Sequence, residues 1–403
     1  MTLFDDTDAM NRNAVATVIV TALVTVSLVA AGVGASTTAE SVETTTSNEA
    51  YAGTHLAFEA SVNAVTDYTV DGETMFSSIA VDSQSEVGGG ADAAIDLGAV
   101  VNIDGAGLSI GAQSQTTTQI EAESGATLSA HDNERGHLVV NAGDDSQVVE
   151  AQLDGSAQAS AESDDRVIVE SDSRSGVFLV VGDGEATVNE EGDVVANLES
   201  ESTLVFRSYA EGERDEQAKE DEQRIADGSA AAEVYVDMRD GETVADTVTY
   251  GEETAVEARQ EGEQRVEVVV DRAISEGTIV MTTVEEEAVG TLESIEVRID
   301  GEAAVQASSQ SELESAIGGD ESAYMVSQHA EAEAKATVYV AFNHFSERTA
   351  SIGSADDGGA DDGSADKTDT TDDDDEVADG LPGFGALAAL LGLGVGIGSR
   401  LRQ

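Results

Sequence analysis

Cysteine and tryptophan are absent from this chain of 403 residues, and Pro382 is its single proline. Without cysteine, the protein cannot form disulfides, cysteine-based zinc sites or thiol nucleophiles. The sequence also lacks the N-x-[ST] pattern, which argues against N-glycosylation. The cellular compartment must therefore be inferred from the terminal segments.

Positive charge is scarce. The chain has 18 Lys and Arg residues against 82 Asp and Glu residues, a formal net charge of −64, and its lysines are Lys219, Lys335 and Lys367. Such a charge repels nucleic acid phosphates, so we expect no nucleic-acid partner. It also strains the fold by self-repulsion, which weakens at molar salt because the screening length falls to about 3 Å. The composition predicts a protein adapted to very salty water.

Aromatic residues make up 4% of the chain, and many inward positions are alanine. Small side chains bury little apolar area, so we expect marginal sheets that depend on salt. Hydrophobic residues nevertheless amount to 40% and occur in ordered runs, which disordered acidic chains lack.

The N-terminal segment is apolar. Residues 14–33 carry no charge, Arg12 precedes them, and small residues follow at Gly34 and Ala35. This pattern predicts a signal peptide over residues 1–35, cleaved between Ala35 and Ser36. The apolar stretch is longer than most signal cores, so an uncleaved membrane anchor is the alternative.

The C-terminal segment is apolar as well. Leu381 to Gly398 is an uncharged stretch of 18 residues, and Arg400 and Arg402 lie beyond it. At about 1.5 Å per residue, a helix over this stretch nearly spans the hydrocarbon core of a bilayer. The arginines are expected to remain cytoplasmic, which places the rest of the chain outside.

The order of features at this end resembles a known sorting signal. An acidic Thr- and Asp-rich linker precedes Pro382, Gly383 and Phe384, and an apolar Gly/Ala/Leu helix and a short basic tail follow. This arrangement is similar to the PGF-CTERM signal of haloarchaeal surface proteins, and the similarity covers only this tail and its linker. The resemblance implies that an archaeosortase-type enzyme recognises the tripeptide and removes the helix, and that the mature protein is anchored to membrane lipid. A permanent C-terminal membrane helix is the alternative.

Composition divides the chain into seven parts. They are a signal peptide (1–35), a Thr-rich lead-in (36–50), a β-rich domain (51–210), a charged helical or loop connector (211–230), a second β-rich domain (231–350), an acidic Asp/Gly/Ser/Thr linker (351–380) and the sorting helix with its basic tail (381–403). The linker is expected to be extended by like-charge repulsion and to act as a stalk.

The region between the two terminal segments has the sequence pattern of β structure. Short apolar runs such as "HLVV", "GVFLVV", "TLVFRS" and "ATVYVAF" recur, and several stretches alternate apolar and polar residues. Asp-Gly pairs, which favour hairpins because glycine accepts a positive φ, occur at 71–72, 104–105, 154–155, 240–241 and 300–301. The pattern predicts a mainly β fold, with an antiparallel β-sandwich-like or stacked β ectodomain flanked by a signal helix and a transmembrane helix.

Two stretches favour helix. Residues 211–228 are charged nearly all round and indicate a solvated helix or a loop. Residues 308–319 are better defined, because Ser309 and Glu312 have capping-box spacing and Gly318 can end a helix.

No motif predicts a catalytic, cofactor-binding or metal-binding residue. Residues 107–111 match the G-x-S-x-G nucleophile pattern around Ser109, but the following residues are poor helix formers, so a Gly-rich β turn is the preferred interpretation. The five histidines are scattered, and the acidic loops at 141–146 and 181–186 lack known calcium-binding patterns.

Three functional hypotheses follow. The first is a non-enzymatic, membrane-tethered surface protein of a halophile with a structural, adhesive or envelope role, whose partners are membrane lipid, an archaeosortase-type enzyme and other envelope proteins. The second is a surface binding module for sugar, peptide or divalent metal, which a concave aromatic- or carboxylate-lined pocket would favour. The third and least favoured is a secreted hydrolase, which requires Ser109 beside a histidine and a carboxylate.

Overall fold

The computed structural model describes residues 49–354 except 89–94, 240, 252, 263, 329–333 and 346. The predicted signal peptide with its cleavage site at Ala35 and Ser36 lies outside the described residues. So do the sorting segment with Pro382, Gly383 and Phe384, and most of the lead-in and linker. Within the described residues, the first strand starts at Glu49, inside the predicted lead-in, and the last strand ends at Ser354, inside the predicted linker.

The described chain is mainly β, as predicted, and most neighbouring strands are antiparallel. Fifteen strands form the first half: β1 (Glu49–Ala52), β2 (Leu56–Ala60), β3 (Ala64–Val70), β4 (Glu73–Ser83), β5 (Leu108–Gln113), β6 (Thr117–Ala122), β7 (Thr127–His131), β8 (Leu138–Asn141), β9 (Gln147–Leu153), β10 (Gln158–Ser163), β11 (Arg166–Glu170), β12 (Arg174–Val181), β13 (Gly184–Val188), β14 (Val194–Leu198) and β15 (Thr203–Ala210).

Eleven strands form the second half: β16 (Ala230–Arg239), β17 (Glu242–Thr249), β18 (Thr254–Gln260), β19 (Arg265–Arg272), β20 (Glu276–Glu285), β21 (Ile295–Ile299), β22 (Glu302–Ala303), β23 (Val305–Gln306), β24 (Ala323–Gln328), β25 (Lys335–His344) and β26 (Arg348–Ser354). The helices are α1 (Gln84–Val87), α2 (Glu216–Ala226), α3 (Glu286–Val289) and α4 (Gln310–Ala316), with 3₁₀ turns at Leu97–Ala99 and Leu292–Ser294.

Each half contains two sheets that pack face to face. In the first half, the outer N sheet has the order β1-β2-β3-β4-β9-β14-β13 and the inner N sheet the order β10-β11-β12-β15-β8-β7-β6-β5. In the second half, the inner C sheet has the order β17-β16-β20-β25-β24-β23 and the outer C sheet the order β18-β19-β26-β21-β22. The pairs β16–β20 and β23–β24 are parallel.

The two inner sheets also pack against each other, so the body has four layers. Along β12, Phe178 and Val180 face the core of the first half, whereas Val177 and Leu179 face the second half. Strand β25 follows the same rule, because its alternate residues divide between the core of the second half and the interface. Burial on both faces explains why these strands read as continuous apolar runs in the sequence.

Asp-Gly pairs do not all form hairpins. Asp71-Gly72 and Asp300-Gly301 are two-residue turns between paired strands, and both residues of each have positive φ, as predicted. Asp154-Gly155 instead links β9 of the outer N sheet to β10 of the inner N sheet. Asp104-Gly105 joins no paired strands, and a Cβ on Gly105 would lie 2.3 Å from the carbonyl oxygen of Asn63. The hairpin prediction is therefore wrong at these two positions, where glycine serves a crossover and a close backbone approach.

The predicted helix at 308–319 is confirmed as α4. The Ser309 hydroxyl accepts a hydrogen bond from the backbone N–H of Glu312, and Gly318 follows the helix with a φ of +71°. Across the described part of the chain, none of the helices combines the length and apolar composition that a membrane crossing requires.

Candidate functional site

The most concentrated set of buried polar groups lies where the two halves meet. It is built around residues 131–137, "HDNERGH", which connect β7 to β8 and which we call the interface loop. Its tight turn depends on Gly136, whose φ is +52° and whose Cβ, if present, would lie 2.3 Å from a methyl carbon of Val70. Only glycine fits this backbone without displacement of its neighbour.

The first half holds the interface loop through the loop's backbone carbonyls. The buried Tyr68 hydroxyl lies 3.1 Å from the carbonyl oxygen of Gly136 and 3.0 Å from that of His137, and donates to this pair. The Arg174 guanidinium donates to the carbonyl oxygen of Glu134 at 2.8 Å. These contacts fix the loop's backbone, while the side chains of His131, Asn133 and His137 reach across the interface.

Asp132 links the two halves at one end of the interface loop. Its carboxylate accepts hydrogen bonds from the backbone N–H groups of residues 54, 55 and 56 at 2.7–2.9 Å. It also accepts a bond from the Arg239 guanidinium of β16 at 3.0 Å. Gly53 lies so close to this carboxylate that an added Cβ would approach it to 2.4 Å. The backbone of residues 53–56, which leads into β2, therefore packs closely against the Asp132 carboxylate.

His131 and Asn133 both contact Asp246 of β17. The Nδ1 atom of His131 lies 3.1 Å from one carboxylate oxygen of Asp246, and the Asn133 amide donates to the other at 2.7 Å. Burial raises the pKa of Asp246, but the nearby His131 and the hydrogen bonds outweigh that effect and the net shift is downward. Asp246 is therefore held as a carboxylate inside the interface.

His137 lies at the centre of the interface and is fully buried. Its Nδ1 faces the side-chain oxygen of Asn133 and its Nε2 faces a carboxylate oxygen of Glu233, both at 3.0 Å. Two acceptors favour the doubly protonated ring, since a neutral imidazole can donate from only one nitrogen. Burial opposes this preference and lowers the pKa of His137 to about 4, although Glu233 partly offsets the shift. The ring is neutral at pH 7 and takes up a proton only in acid.

Glu233 completes the cluster from β16. It pairs with the Arg207 guanidinium of β15 at 3.2 Å and accepts a hydrogen bond from the Tyr250 hydroxyl. Burial raises the pKa of Glu233, but Arg207 and His137 outweigh it and hold the pKa well below its usual range. Arg207 is 3% exposed and Glu233 5% exposed, so this is a desolvated ion pair across the interface.

A second group of buried charges is carried by α2. Arg214 forms two hydrogen bonds to Glu222, at 2.8 and 2.7 Å, and Asp221 accepts bonds from Arg224 and from the Tyr339 hydroxyl. Burial raises the pKa of Asp221 to about 6. The sequence predicts a solvated helix or a loop here; the segment forms a helix, but the face that carries Asp221, Glu222 and Arg224 is buried against β12 and β16. The buried face combines Ala218 and Ile225 with these charged side chains, and the pairing of the charges makes their burial tolerable.

The G-x-S-x-G pattern does not form a nucleophile elbow. Ser109 lies on β5, opposite Glu121 of β6, where the motif would need a strand followed by a tight turn and a helix. The described histidines bond elsewhere: His55 to Asp71, His131 to Asp246, His137 to Asn133 and Glu233, and His344 to Arg348. None of these four hydrogen-bonds to Ser109. His329 lies outside the described residues.

The described surface also has concave regions. One cleft of about 590 Å³ is lined by the carboxylates of Asp96, Glu162, Asp164 and Glu185. Another, of about 470 Å³, opens at the junction of the two halves and is lined by Glu201, Tyr250, Glu253 and Arg272. Within the described ranges, no three His, Asp or Glu side chains are arranged to hold a metal ion, and this includes the described loops at 141–146 and 181–186.

Comparison with known proteins assigns no family. No protein-family model and no curated protein matches the chain. A glycoside hydrolase of family 81 from Clostridium thermocellum is similar over 56% of this chain and 29% of its own, with 9% identity and a TM-score of 0.29. A polysaccharide lyase is similar over 75% of this chain and 47% of its own, with 8% identity and a TM-score of 0.21. The chain thus spans less than half the length of either structure, and likeness at this level supports no conclusion about fold or activity.

Proposed function

We propose that this chain is an exported, membrane-tethered cell-surface protein of a halophile, with a structural, adhesive or envelope role. In this proposal a signal peptide over residues 1–35 is removed between Ala35 and Ser36. An archaeosortase-type enzyme recognises Pro382, Gly383 and Phe384, and the mature chain is attached to membrane lipid at the outer face of the cytoplasmic membrane.

The observation that supports this role is the way the two halves are joined. The inner N and inner C sheets meet through an apolar cluster and through the interface loop, whose side chains are paired across the junction. A junction that needs Arg207, Glu233 and Asp246 in matched positions favours one mutual orientation of the halves. Such a body suits a protein that must keep its shape at the cell surface.

The order of the four sheets indicates which sheet of a tethered body would face away from the membrane. Sheets that pack face to face lie about 10 Å apart, so the outer N sheet is roughly 30 Å from the outer C sheet. The linker at 351–380 starts in β26, which belongs to the outer C sheet. A body tethered through that linker would present its outer N sheet away from the membrane. We accordingly propose two β-rich domains, 51–210 and 231–350, joined by the connector at 211–230 and raised on the linker as a stalk.

Labelling of single introduced cysteines tests this location, because the natural chain has none. Asp172→Cys places a thiol in the exposed turn between β11 and β12, and Val205→Cys places one in the closed interface. A membrane-impermeant maleimide should label the first variant on intact cells and should label the second only after denaturation. Labelling of Asp172→Cys that requires cell lysis would place the body inside the cell and refute the proposal.

The alternative, a surface binding module, has one observation in its favour: the cleft at the junction of the halves. Ligand sites occur preferentially at such junctions, and this cleft combines an aromatic ring, a guanidinium and two carboxylates. Titration of the full-length chain with soluble oligosaccharides and peptides, followed by Tm, tests it. A rise in Tm that Glu253→Ala abolishes would favour binding over a purely structural role.

A further inference from the structure

Strand β5 is an edge strand without charge. It ends the inner N sheet, and the surrounding residues 105–120, "GAGLSIGAQSQTTTQI", contain no Asp, Glu, Lys or Arg. In the chain as a whole, a quarter of the residues are charged. Edge strands expose unpaired backbone groups, and proteins usually protect them with charged side chains or proline.

The other edges in the described part of the chain are protected or very short. Six of them carry a carboxylate: Glu49 on β1, Glu162 on β10, Glu185 on β13, Glu242 on β17, Glu257 on β18 and Glu302 on β22. Strands β22 and β23 have only two residues each. Among these edges, β5 is therefore the one that is long enough to pair and has no charged residue of its own; a nearby carboxylate on this side, that of Glu121, belongs to the adjacent β6 and lies against Gly111.

The exposed side of β5 suits the approach of another strand. Residues 111–113 are a glycine, an alanine and a glutamine, all exposed, and Leu108 and Ile110 are half-buried against the core of the first half. The strand is also held in place near both ends. The N–H of Leu108 donates to the carbonyl oxygen of Val62 at 2.6 Å, and the Tyr51 hydroxyl donates to that of Gln115 at 3.3 Å. A strand fixed before binding loses little conformational freedom when it pairs.

We propose that β5 pairs antiparallel with β5 of a second copy of this chain and joins the two inner N sheets into one continuous sheet. The net charge of −64 makes two copies repel over most of their surface, and the approach of two uncharged edges minimises that repulsion. Antiparallel pairing of a strand with itself is self-complementary about a two-fold axis, so it closes as a dimer. The G-x-S-x-G segment is thus part of an assembly surface.

Single cysteines in the cysteine-free, full-length chain test this pairing. Ser109→Cys, Ala112→Cys and Gln113→Cys place a thiol along β5, and Ser160→Cys places one on β10, the opposite edge of the same sheet, as the matched control. In a two-fold pair, residues near the axis lie opposite themselves, so mild oxidation of native membranes should convert more than half of at least one β5 variant to a disulfide-linked dimer. If no β5 variant exceeds the Ser160→Cys level, the proposal is wrong.

A second measurement separates β5 pairing from dimerisation elsewhere. The natural chain, in detergent and molar salt, should have the mass of a dimer by light scattering after subtraction of the micelle. Ser109→Glu combined with Gln113→Glu should weaken the dimer at least tenfold, whereas Gln158→Glu combined with Ser160→Glu on β10 should not. Circular dichroism checks that the variants are folded. A monomeric natural chain, or a dimer that survives both β5 carboxylates, would overturn the proposal.

Discussion

Replacement of Glu233 by glutamine is the most direct perturbation of the interface. The side chain keeps its size but loses its charge, and an NH2 group, which is a hydrogen-bond donor, replaces one of its two acceptor oxygens. In the natural chain Glu233 accepts hydrogen bonds from His137 and Tyr250 and pairs with Arg207 at 3.2 Å. The substitution therefore leaves the buried guanidinium of Arg207 without its ion-pair partner.

The expected cost follows from that burial. Removal of one partner of a buried ion pair typically costs about 3–5 kcal/mol, because the remaining charge stays desolvated. Glutamine retains one acceptor oxygen, so we expect a loss of about 3 kcal/mol in the free energy of unfolding. Molar salt should change this value little, since a pair that is 3% and 7% exposed at its side chains is poorly screened.

Denaturant unfolding of the full-length chain in molar salt measures this loss. Glu185→Gln on the exposed face of β13 is the matched control, and we expect it to stay within about 0.5 kcal/mol of the natural chain. The double variant Arg207→Met with Glu233→Gln should lose about 2 kcal/mol less unfolding free energy than the two single variants lose together. The reason is that the double variant no longer buries an unpaired charge. A Glu233→Gln variant as stable as the Glu185→Gln control would show that the buried Arg207–Glu233 pair is not needed for stability.

Three further predictions concern the fold. Burial lowers the pKa of His137 in the folded chain to about 4, against about 6.5 in the unfolded chain. The unfolded chain therefore binds more protons between these two pH values. The contribution of this group to stability, about 3 kcal/mol, is complete above pH 6.5 and is lost as the pH falls towards 4. His137→Gln should remove that part of the pH dependence in equilibrium unfolding; an unchanged profile would contradict the assignment. Gly136→Ala should lower the free energy of unfolding by at least about 2 kcal/mol, because of the φ of +52° and the contact with Val70. Gly155→Ala has open space around it and should lower this free energy by less than about 0.5 kcal/mol. Equal Tm values for the two variants would contradict the steric explanation. Dialysis from molar to millimolar salt should abolish the β signal in circular dichroism, and full retention would count against adaptation to salt.

The strands could be predicted from the sequence because their apolar runs are local signals. Residues 138–140, 204–206 and 336–342 all lie in strands. Their pairing across four layers could not be predicted, since a run that is apolar on both faces does not show which sheet covers each face. Strands β8, β12 and β15 are buried on both faces because the second half covers the face that the outer N sheet does not.

The interface loop could not be predicted as buried. Its sequence, "HDNERGH", has the composition of an exposed turn, and its histidines read as scattered because the partners of His131 and His137 are 115 and 96 positions away. One sequence signal was present: Glu233 interrupts the apolar run "AEVYV" of β16, and Arg207 interrupts "LVFRSY" of β15. Opposite charges within otherwise apolar strands indicate partners that are far apart in sequence.

The mass of the mature protein from native membranes tests the proposed role most directly. The proposed role predicts an N-terminus at Ser36, loss of the apolar segment that follows Pro382, Gly383 and Phe384, and an added mass that matches a membrane lipid. An intact polypeptide recovered from the cell interior, with residues 1–35 and 381–403 both present and no lipid attached, would contradict it.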